Sequence, residues 1–324
     1  MTTYVLTRGA MDTIRYYVSH TSGFTITPVI IRGGGAGTAT WDWGDGSATE
    51  TGDSMNHVYA AGTYTVTLTL VDYPTYLMSI AVHEDHVVGD FLWALRSARA
   101  LTAIIARTNT GLNSNCALVN LSGWWPSLIS IYIYSTGVSG DISGWVLPAS
   151  LINLSIYATS VSGDISGWVL PASLDYFLVN STSVSGDISG WTLPASLVDL
   201  RIYATGVSGD ISGWVLPASL INLRLYATGV SGVPIFTSAV ALRDVYYQDC
   251  ALPQATCDAF LAAIWARRMS FTNAAPGGNI GGTNATPGGI YQNANPPTTG
   301  LEYKHVLVND GNVEGFNKWA WTTS

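Results

Sequence analysis

The sequence predicts a mainly β protein in which a solenoid of parallel strands follows a small β-sandwich and ends in a helical and strand cap. Three observations lead to this fold class. A 23-residue unit occurs four times in succession between Val138 and Gly229. Residues 22–72 alternate apolar and polar side chains as sandwich strands do. After residue 251 the apolar spacing becomes helical. A fixed period of this length indicates stacked units that bury their apolar sides against one another.

Each repeat predicts one strand, a turn and an extended or tightly turned return limb. The first copy reads VSGDISGWVLPASLINLSIYATS. Leu154 and Ile156 alternate as in a strand with one buried face. Gly144 and Pro148 exclude a helix from the limb. We therefore expect successive strands to pair in parallel, with an apolar core built from Leu151, Leu154, Ile156, Val161 and the corresponding residues of the other copies.

The apolar positions of the repeat follow the pattern LxxLxLxxNxL. In the last copy, the residues at these places are Leu220, Leu223, Leu225, Thr228 and Val230. This pattern, with the Ser-Gly-Asp-Ile of the limb, resembles the leucine-rich repeat family of the bacterial and phage type. The resemblance implies a solenoid whose strands line one face. The Asn of the family pattern is Thr in every copy, and we expect its hydroxyl to hydrogen bond to the turn backbone.

The segment WDWGDGS, Trp41 to Ser47, is followed by an alternating stretch from His57 to Leu70. Asp45-Gly46 predicts a tight turn, and the alternation predicts a sandwich strand. The two motifs resemble the PKD-type immunoglobulin-like domain, which implies a β-sandwich over residues 22–72. The small number of strands predicts a truncated sandwich fused to the first coil. Residues 1–21 are interpreted as an N-terminal arm that forms a strand or an attachment segment.

The remaining boundaries follow from the repeat. We predict a transition with the first degenerate coils over 73–114, the solenoid over 115–250 and a cap over 251–324. Within the transition, residues 83–86 read His-Glu-Asp-His, which invites a metal-site interpretation. A strand would place the two His side chains on opposite faces, so a solvated turn is the preferred interpretation.

The cap is predicted to begin with a helix near Leu252-Pro253, because proline is favoured in a first helical turn. The apolar residues that follow at helical spacing would cover the open end of the last coil: Cys257, Phe260, Leu261, Ile264 and Trp265. Residues 272–299 are too rich in Gly, Pro and Asn to predict regular structure. A short helix over 301–308 and a strand over 318–322 complete the expected cap, which resembles the terminal module of bacterial and phage leucine-rich repeat proteins.

Composition excludes several classes of function. Charged residues make up 10% of the chain and the net charge is -8, which argues against a nucleic-acid binder. No apolar run is long enough for a membrane span. The three cysteines predict small buried hydrophobes. No secretory signal is visible at the start, so an adhesin-like surface predicts a component of a virion surface. An extracellular or cell-surface protein whose signal was removed is the alternative.

Two residue types that recur once in each repeat could form a binding site. The limb acids could bind calcium, but one acid per coil provides few oxygen ligands, and an Asx-type turn is preferred: Asp141, Asp164, Asp187 and Asp210. The limb tryptophans could form a platform for sugar rings, but burial against neighbouring coils is preferred: Trp145, Trp168, Trp191 and Trp214. No motif for a nucleophile with its base, a phosphate or a dinucleotide is present, so we predict no enzyme and no cofactor.

Internal variation provides the functional prediction. The limb scarcely changes between copies, whereas the outward strand positions differ and are rich in Tyr and Arg, which are typical interface anchors. The candidate ligand-binding residues are Tyr132, Tyr134, Tyr157, Tyr176, Arg201, Tyr203, Arg224 and Tyr226. Drift at unconstrained positions is the alternative explanation.

Together these observations predict a non-enzymatic surface recognition or structural protein of a phage or phage-like particle. Its expected partners are other particle proteins, a host surface protein or a glycan, and a homo-oligomer is compatible with the sequence. A secreted bacterial adhesin and a purely structural capsid or tail lattice protein are the alternatives.

Overall fold

The computed structural model describes residues 13–32, 39–70, 77–83, 87–88, 92, 95–96, 98–109, 115–116, 119–267, 277–286 and 299. As predicted, the protein is mainly β, with an N-terminal sandwich, a solenoid of parallel strands with about six turns and a C-terminal helix. The chain divides into two compact units, Met1–Asp141 and Ile142–Ser324.

The first unit is built almost entirely from strands. Its elements are β1 (Thr13–His20), β2 (Phe24–Ile26), β3 (Val29–Arg32), β4 (Ala39–Asp42), β5 (Glu50–Thr51), β6 (His57–Tyr59), β7 (Gly62–Leu70), β8 (Leu77–His83), β9 (Val87–Val88), β10 (Ala103–Asn109), α1 (Leu121–Trp124), β11 (Ser130–Thr136) and β12 (Ser139–Asp141). One sandwich sheet has the order β5-β4-β7-β1-β9, and β2 pairs antiparallel with β6.

In the part of the predicted N-terminal arm that the structure describes, residues 13–20 form strand β1, which is one of the two alternatives given for this segment. It pairs antiparallel with β7 along its whole length, from Thr13↔Thr69 to His20↔Gly62. Ile14, Tyr16 and Val18 alternate into the core and are buried. This alternation is the signal of a sandwich strand, and burial of its three apolar side chains fixes the segment in the sheet.

The sandwich shares a sheet with parallel strands of the same unit. Strand β3 pairs antiparallel with β8, β8 pairs in parallel with β10, and β10 pairs in parallel with β11. The predicted fusion of a sandwich to a first coil is therefore observed. The inward residues Ile104, Ile131 and Ile133 are buried, as their spacing predicts.

The second unit contains two parallel sheets. Its elements are β13 (Asn153–Ser155), β14 (Ser160–Asp164), β15 (Tyr176–Leu178), β16 (Ser183–Asp187), β17 (Asp199–Arg201), β18 (Gly206–Asp210), a 3₁₀ turn (Ile211–Gly213), β19 (Asn222–Arg224), β20 (Gly229–Ser231), β21 (Asp244–Tyr246), α2 (Gln254–Arg267) and β22 (Gly277–Asn279). One sheet has the order β13-β15-β17-β19-β21-β22, and the other has the order β14-β16-β18-β20.

The core of the solenoid consists of rows of apolar side chains, and each coil contributes one side chain to each row. Leu154, Phe177, Leu200, Leu223 and Val245 align in register on successive strands, and all five are buried. The other predicted core positions are also buried in each copy. Burying one such side chain contributes about 1.5–3 kcal/mol before chain entropy is subtracted, so a coil is stable only in a stack.

Hydroxyl groups fix the coils in two different ways. The threonines at the Asn place bond to the turn backbone as predicted, and they do so within their own coil: Thr205 Oγ1 donates to Ile202 O at 2.6 Å. The limb serines bond between coils instead. Ser196 Oγ lies 3.0 Å from Ala172 O and 2.8 Å from Leu174 O of the preceding coil. Ser173 and Ser219 repeat this arrangement.

The cap begins with the predicted helix α2, whose inward side chains are buried: Cys257, Phe260, Leu261, Ile264 and Trp265. The three cysteines are free and buried, as predicted. The expectation of no regular structure over 272–299 is wrong at Gly277–Asn279, which form β22 in parallel with β21. The predicted helix over 301–308 and the strand over 318–322 lie outside the described residues.

Strand β22 is held by backbone bonds and by one amide side chain. Asn284 Nδ2 donates to Tyr247 O and to Ile280 O, both at 2.8 Å. Asn284 Oδ1 accepts from the backbone of Cys250 at 2.9 Å and of Leu252 at 3.0 Å. These bonds replace the apolar side chains that a glycine-rich segment lacks, which explains why the segment forms a strand.

Candidate recognition surface

The strands β13, β15, β17, β19 and β21 carry two rows of side chains on either side of the buried apolar row, and most of their members are exposed or half-buried, although Ser155 and Asp199 are buried. One row carries Asn153, Tyr176, Asp199, Asn222 and Asp244, and the other carries Ser155, Leu178, Arg201, Arg224 and Tyr246. A third row, two residues after the second, carries Tyr157, Asn180, Tyr203, Tyr226 and Gln248. We call these three rows the strand face.

The structure divides the predicted site residues between the two units. Tyr132 and Tyr134 lie on β11 of the first unit, where Arg107 Nη1 lies 3.4 Å from Tyr134 Oη. The other residues lie on the strand face of the second unit: Tyr157, Tyr176, Arg201, Tyr203, Arg224 and Tyr226. Tyr176 is exposed, and the other five are half-buried.

Arg201 is held by a bidentate ion pair within the strand face. Its Nε and Nη2 donate to the two carboxylate oxygens of Asp199 at 2.8 and 2.7 Å. Because the guanidinium donates these bonds, the pKa of Arg201 is raised. Asn222 Nδ2 from the next coil donates to the same carboxylate at 2.8 Å. Arg201 is therefore pre-organised, with its charge already balanced.

Arg224 occupies the equivalent place one coil later and is held less tightly. Its Nη2 lies 3.3 Å from Asp244 Oδ2, and its Nε has no hydrogen-bond partner among the described residues. The guanidinium carbon lies 5.1 Å from the ring centroid of Tyr246, within the range of a cation–π contact. Arg224 therefore retains donor capacity that Arg201 has used.

Tyr203 and Tyr226 form a stacked pair, with ring centroids 4.2 Å apart and planes inclined by 11°. Burial and the neighbouring Tyr203 raise the pKa of Tyr226 to about 12. Each ring therefore covers one face of the other. Tyr157 stands apart from this pair, since the intervening coil carries the buried Asn180.

Sequence reasoning missed part of this surface. Asp199, Asn222, Asp244, Tyr246 and Gln248 complete it, but their roles depend on which residues of successive coils lie side by side. The available signal was the spacing of two residues between each Asp or Asn and the following Arg or Tyr, which places both side chains on one face of a strand.

The limb acids accept backbone hydrogen bonds in Asx-type turns, which is the interpretation preferred above to calcium binding. The backbone amides of Ser166, Ser189 and Ser212 each donate at 2.9 Å to the acid two residues earlier. Hydrogen bonds from Ser166 and Ser189 lower the pKa of Asp164 and Asp187. Among the described residues, no group of three His, Cys, Asp or Glu side chains is placed to hold a metal ion. His83 ends β8, and Glu84, Asp85 and His86 lie outside the described residues.

The limb tryptophans are buried, as preferred, and two pairs of them stack. Trp145 and Trp168 lie 6.2 Å apart with planes inclined by 4°, and Trp191 and Trp214 lie 6.4 Å apart at 2°. Phe177 stands where the other copies have Leu and contacts Trp168 and Trp191 edge-on. The rings therefore form part of the core and offer no exposed platform.

The WDWGDGS motif forms a polar and aromatic cluster in the sandwich. Ser47 N and Oγ donate to Asp45 Oδ1, and His57 Nε2 lies 2.8 Å from Asp45 Oδ2. Partial burial acts to raise the pKa of Asp45, but the hydrogen bonds from Ser47 and His57 outweigh it and lower the pKa to about 2. The His57 ring stacks on Trp43 at 4.6 Å. The motif therefore stabilises a turn, as its sequence predicts.

Comparison with known protein families gives a match for the N-terminal sandwich. Residues 17–74 match the PKD domain family. No curated protein matches the chain in sequence. PKD domains occur in extracellular and surface proteins. Within the described part of the chain, no helix has the length and apolar character needed to cross a membrane.

Two solved structures resemble the chain at low identity. A plant ice-binding protein is 15% identical with a TM-score of 0.33, over 55% of this chain and 73% of that protein. The plant peptide hormone receptor RGFR1 in complex with RGF2 is 13% identical with a TM-score of 0.27, over 59% of this chain and 45% of the receptor chain. Neither similarity assigns a function to this chain.

Proposed function

We propose that this protein is a non-enzymatic recognition protein of a phage or phage-like particle, and that its strand face binds a host surface protein or glycan. The observation that carries this proposal is the contrast within the repeat. The limb is nearly constant, whereas the strand face changes from coil to coil and concentrates Tyr and Arg. Tyr and Arg are enriched among the residues that carry most of the binding energy of protein interfaces.

The contacts of the strand face support this proposal. Arg201 is fixed by Asp199, and Tyr203 is fixed by stacking on Tyr226. Side chains that are ordered before binding lose little conformational entropy when a partner arrives. The PKD domain match adds to this, because a PKD domain joined to a β-solenoid suggests a surface or adhesion-type protein.

The proposal includes the leucine-rich repeat type of the solenoid and a place on the virion surface, with other particle proteins as further partners. The fit of Leu220, Leu223 and Leu225 to the family spacing supports the repeat type. Low charge and abundant Thr, Ser and Tyr support an exposed location. A structural building block is the second candidate, because the return limbs carry an exposed apolar row.

The test is binding of the labelled, full-length chain to candidate host cells, measured by flow cytometry. Tyr203→Ala combined with Tyr226→Ala should reduce cell binding by about tenfold or more, since two aromatic anchors are lost. Val169→Ser, on the return limb, is the control and should bind as the unchanged chain does. If the tyrosine variant binds normally while remaining folded, recognition does not use this face.

A further inference from the structure

Two buried polar atoms of the strand face have no hydrogen-bond partner among the described residues, and they belong to neighbouring coils. They are Nε of Arg224, which is a donor, and Oε1 of Gln248, which is an acceptor. A buried polar atom without a partner costs free energy, so native structures contain few of them. Two such atoms on one surface indicate a place where hydrogen bonds are completed from outside the fold.

The pairing of β19 with β21 brings these two side chains together. Arg224 pairs with Tyr246, and Ala227 N donates to Gln248 O at 3.1 Å, which sets Gln248 beside Tyr226. Gln248 is therefore the diagonal neighbour of Arg224 in the next coil, and diagonal neighbours in a sheet are within reach of long side chains. We call Arg224, Tyr226, Tyr246 and Gln248 the polar corner, and all four are half-buried.

One difference between coils leaves Arg224 with its spare donor. Arg201 has Asp199 two residues before it and gives Nε and Nη2 to that carboxylate. Arg224 has Asn222 at the same place, and the Asn222 amide donates to Asp199 instead. Arg224 keeps one contact of 3.3 Å with Asp244, and its side chain is 29% exposed. A ligand can therefore reach this side chain, and a change of rotamer of the kind common on binding brings Nε onto it.

The chemistry of the polar corner favours a neutral, hydroxylated ligand. A sugar carries hydroxyls on adjacent carbons, and each hydroxyl both donates and accepts, so one such pair can satisfy Arg224 Nε and Gln248 Oε1 together. An anion is disfavoured, because the partly exposed Asp244 pairs with the same guanidinium and the chain has a net charge of -8. Tyr226 and Tyr246 add ring surface beside a few polar groups, a combination typical of small-molecule sites.

A protein partner fits the polar corner less well, because the centre of a protein interface is usually apolar. The apolar side chains of β19 and β21, Leu223 and Val245, are buried. In the described part of the second unit, the exposed large aliphatic side chains lie on or beside the return limbs: Val146, Val169, Val215 and Ile235. The corner therefore offers hydrogen bonds and ring surface, but no aliphatic contact.

We propose that the polar corner binds a neutral sugar residue of a host surface glycan. Arg224 Nε donates to one sugar hydroxyl, and Gln248 Oε1 accepts from the adjacent hydroxyl. This inference rests on the function proposed above and narrows it, from a protein or glycan to a glycan and from the strand face to the polar corner. Since Arg224 serves as a hydrogen-bond donor and not as the partner of an anion, binding should depend little on salt.

Binding of the labelled, full-length chain to candidate host cells tests the ligand class. Periodate followed by borohydride cleaves carbon–carbon bonds between adjacent hydroxyls, so this treatment of the cells should abolish binding, whereas protease treatment should not. Raising NaCl from about 0.05 to about 0.5 M should change the dissociation constant by less than about twofold. Binding that survives periodate and is lost after protease would overturn the inference in favour of a protein partner and leave the proposed function standing. A chain that binds no cells would contradict both.

Two variants test the place of the site. Arg224→Lys keeps the charge beside Asp244 but loses Nε, and Gln248→Met loses the acceptor. Each should weaken cell binding by about tenfold, since one hydrogen bond to the sugar is lost. Arg243→Lys and Gln254→Met make the same exchanges at exposed positions and should bind as the unchanged chain does.

Thermal unfolding separates a binding role from a structural one. Gln248→Met replaces an unpartnered buried oxygen by an apolar group of similar shape, so the melting temperature should not fall. Weaker binding at an unchanged melting temperature is the expected result. A melting temperature that falls together with binding would mean that Gln248 only supports the fold, and it would overturn the proposal. Normal binding by both variants would overturn it equally, because the glycan would then bind elsewhere.

Discussion

The return limb and the strand of each repeat differ in how regularly their polar contacts recur from coil to coil. On the limb, Ser196 bonds to the preceding coil, and Gly186 fits closely over Asp164 of the coil before it. On the strand, Arg201 bonds to Asp199 of its own coil, whereas Tyr203 stacks on Tyr226 of the next coil. The limb side chains that join one coil to the next are constant, whereas the strand-face side chains vary from coil to coil.

A residue that is the same in every copy of the repeat therefore indicates a contact between stacked coils, and it does not by itself indicate a binding site. The limb residues are the same in each copy because every coil boundary uses the same contacts. The strand face also has contacts across coil boundaries, from Asn222 to the buried Asp199 and from Arg224 to Asp244, but these contacts differ from one boundary to the next. The four predictions below begin with the change that should disturb stacking most.

Gly186→Ala should have the largest effect. Gly186 has a φ of 117°, and an added Cβ would overlap the Asp164 carboxylate and approach Ser166 N. We expect a loss of about 2–4 kcal/mol in the free energy of unfolding, measured by urea denaturation.

Gly190→Ala, in the same coil, provides the matched control because open space surrounds it. Its stability should change by at most about 0.5 kcal/mol in dilute solution. Equal losses for the two variants would contradict the close fit between Gly186 and Asp164.

Ser196→Ala should have an intermediate effect, because it removes a hydroxyl whose single hydrogen is shared between two carbonyls of the preceding coil. The expected loss is about 1–2 kcal/mol by thermal or urea unfolding. Ser183→Ala, at an exposed place on β16, should stay within about 0.5 kcal/mol of the unchanged chain. A neutral Ser196→Ala would show that the limb contacts do not hold the coils together.

Tyr203→Ala should have a smaller effect on stability, although it weakens recognition under the function proposed above. Removing the stack with Tyr226 should lower the free energy of unfolding by about 1 kcal/mol. The comparison is made by urea denaturation beside Ser196→Ala. A loss as large as that of Gly186→Ala would mean that the strand face also holds the stack together.

Acid should weaken the limb turns gradually. The Ser189 hydrogen bonds lower the pKa of Asp187 in the folded coil. Stability from this turn is therefore present above the ordinary Asp pKa of 3.8 and is lost as pH falls through the lower folded-state value. Asp187→Asn should remove this part of the pH dependence, as read from denaturation at several acidic pH values. If Asp187→Asn leaves the pH dependence of stability unchanged, the hydrogen bonds of Asp187 do not contribute to stability in this way.

Much of the fold could be predicted because the spacing of apolar residues along the sequence indicates which side chains are buried. The alternation of Leu154 and Ile156 gave the strand, and the helical spacing from Cys257 to Trp265 gave α2. Strand β22 could not be predicted, because its backbone bonds and the bonds of Asn284 leave no apolar pattern. Strand β1 shows a readable alternation, but it lacks the turn motifs that identified the later sandwich strands.

The candidate surface was predicted in outline and not in its contacts. The outward positions of Tyr203 and Arg224 follow from strand alternation alone. The pairing of Arg201 with Asp199, and the looser pairing of Arg224 with Asp244, depends on the register between coils and on side-chain geometry. The exposure of Val169 was also hidden, because the run Trp-Val-Leu does not tell which of its apolar residues faces outward.

The fit of each limb Asp beneath the glycine of the following coil has a consequence for the gene. Asp164 with Gly186, Asp187 with Gly209 and Asp210 with Gly232 are interchangeable joints. Deletion or duplication of a whole 23-residue unit leaves the same Asp–Gly contact at the new boundary, so the newly adjacent coils still fit. The length of the array can therefore change in one genetic step, without any compensating substitution.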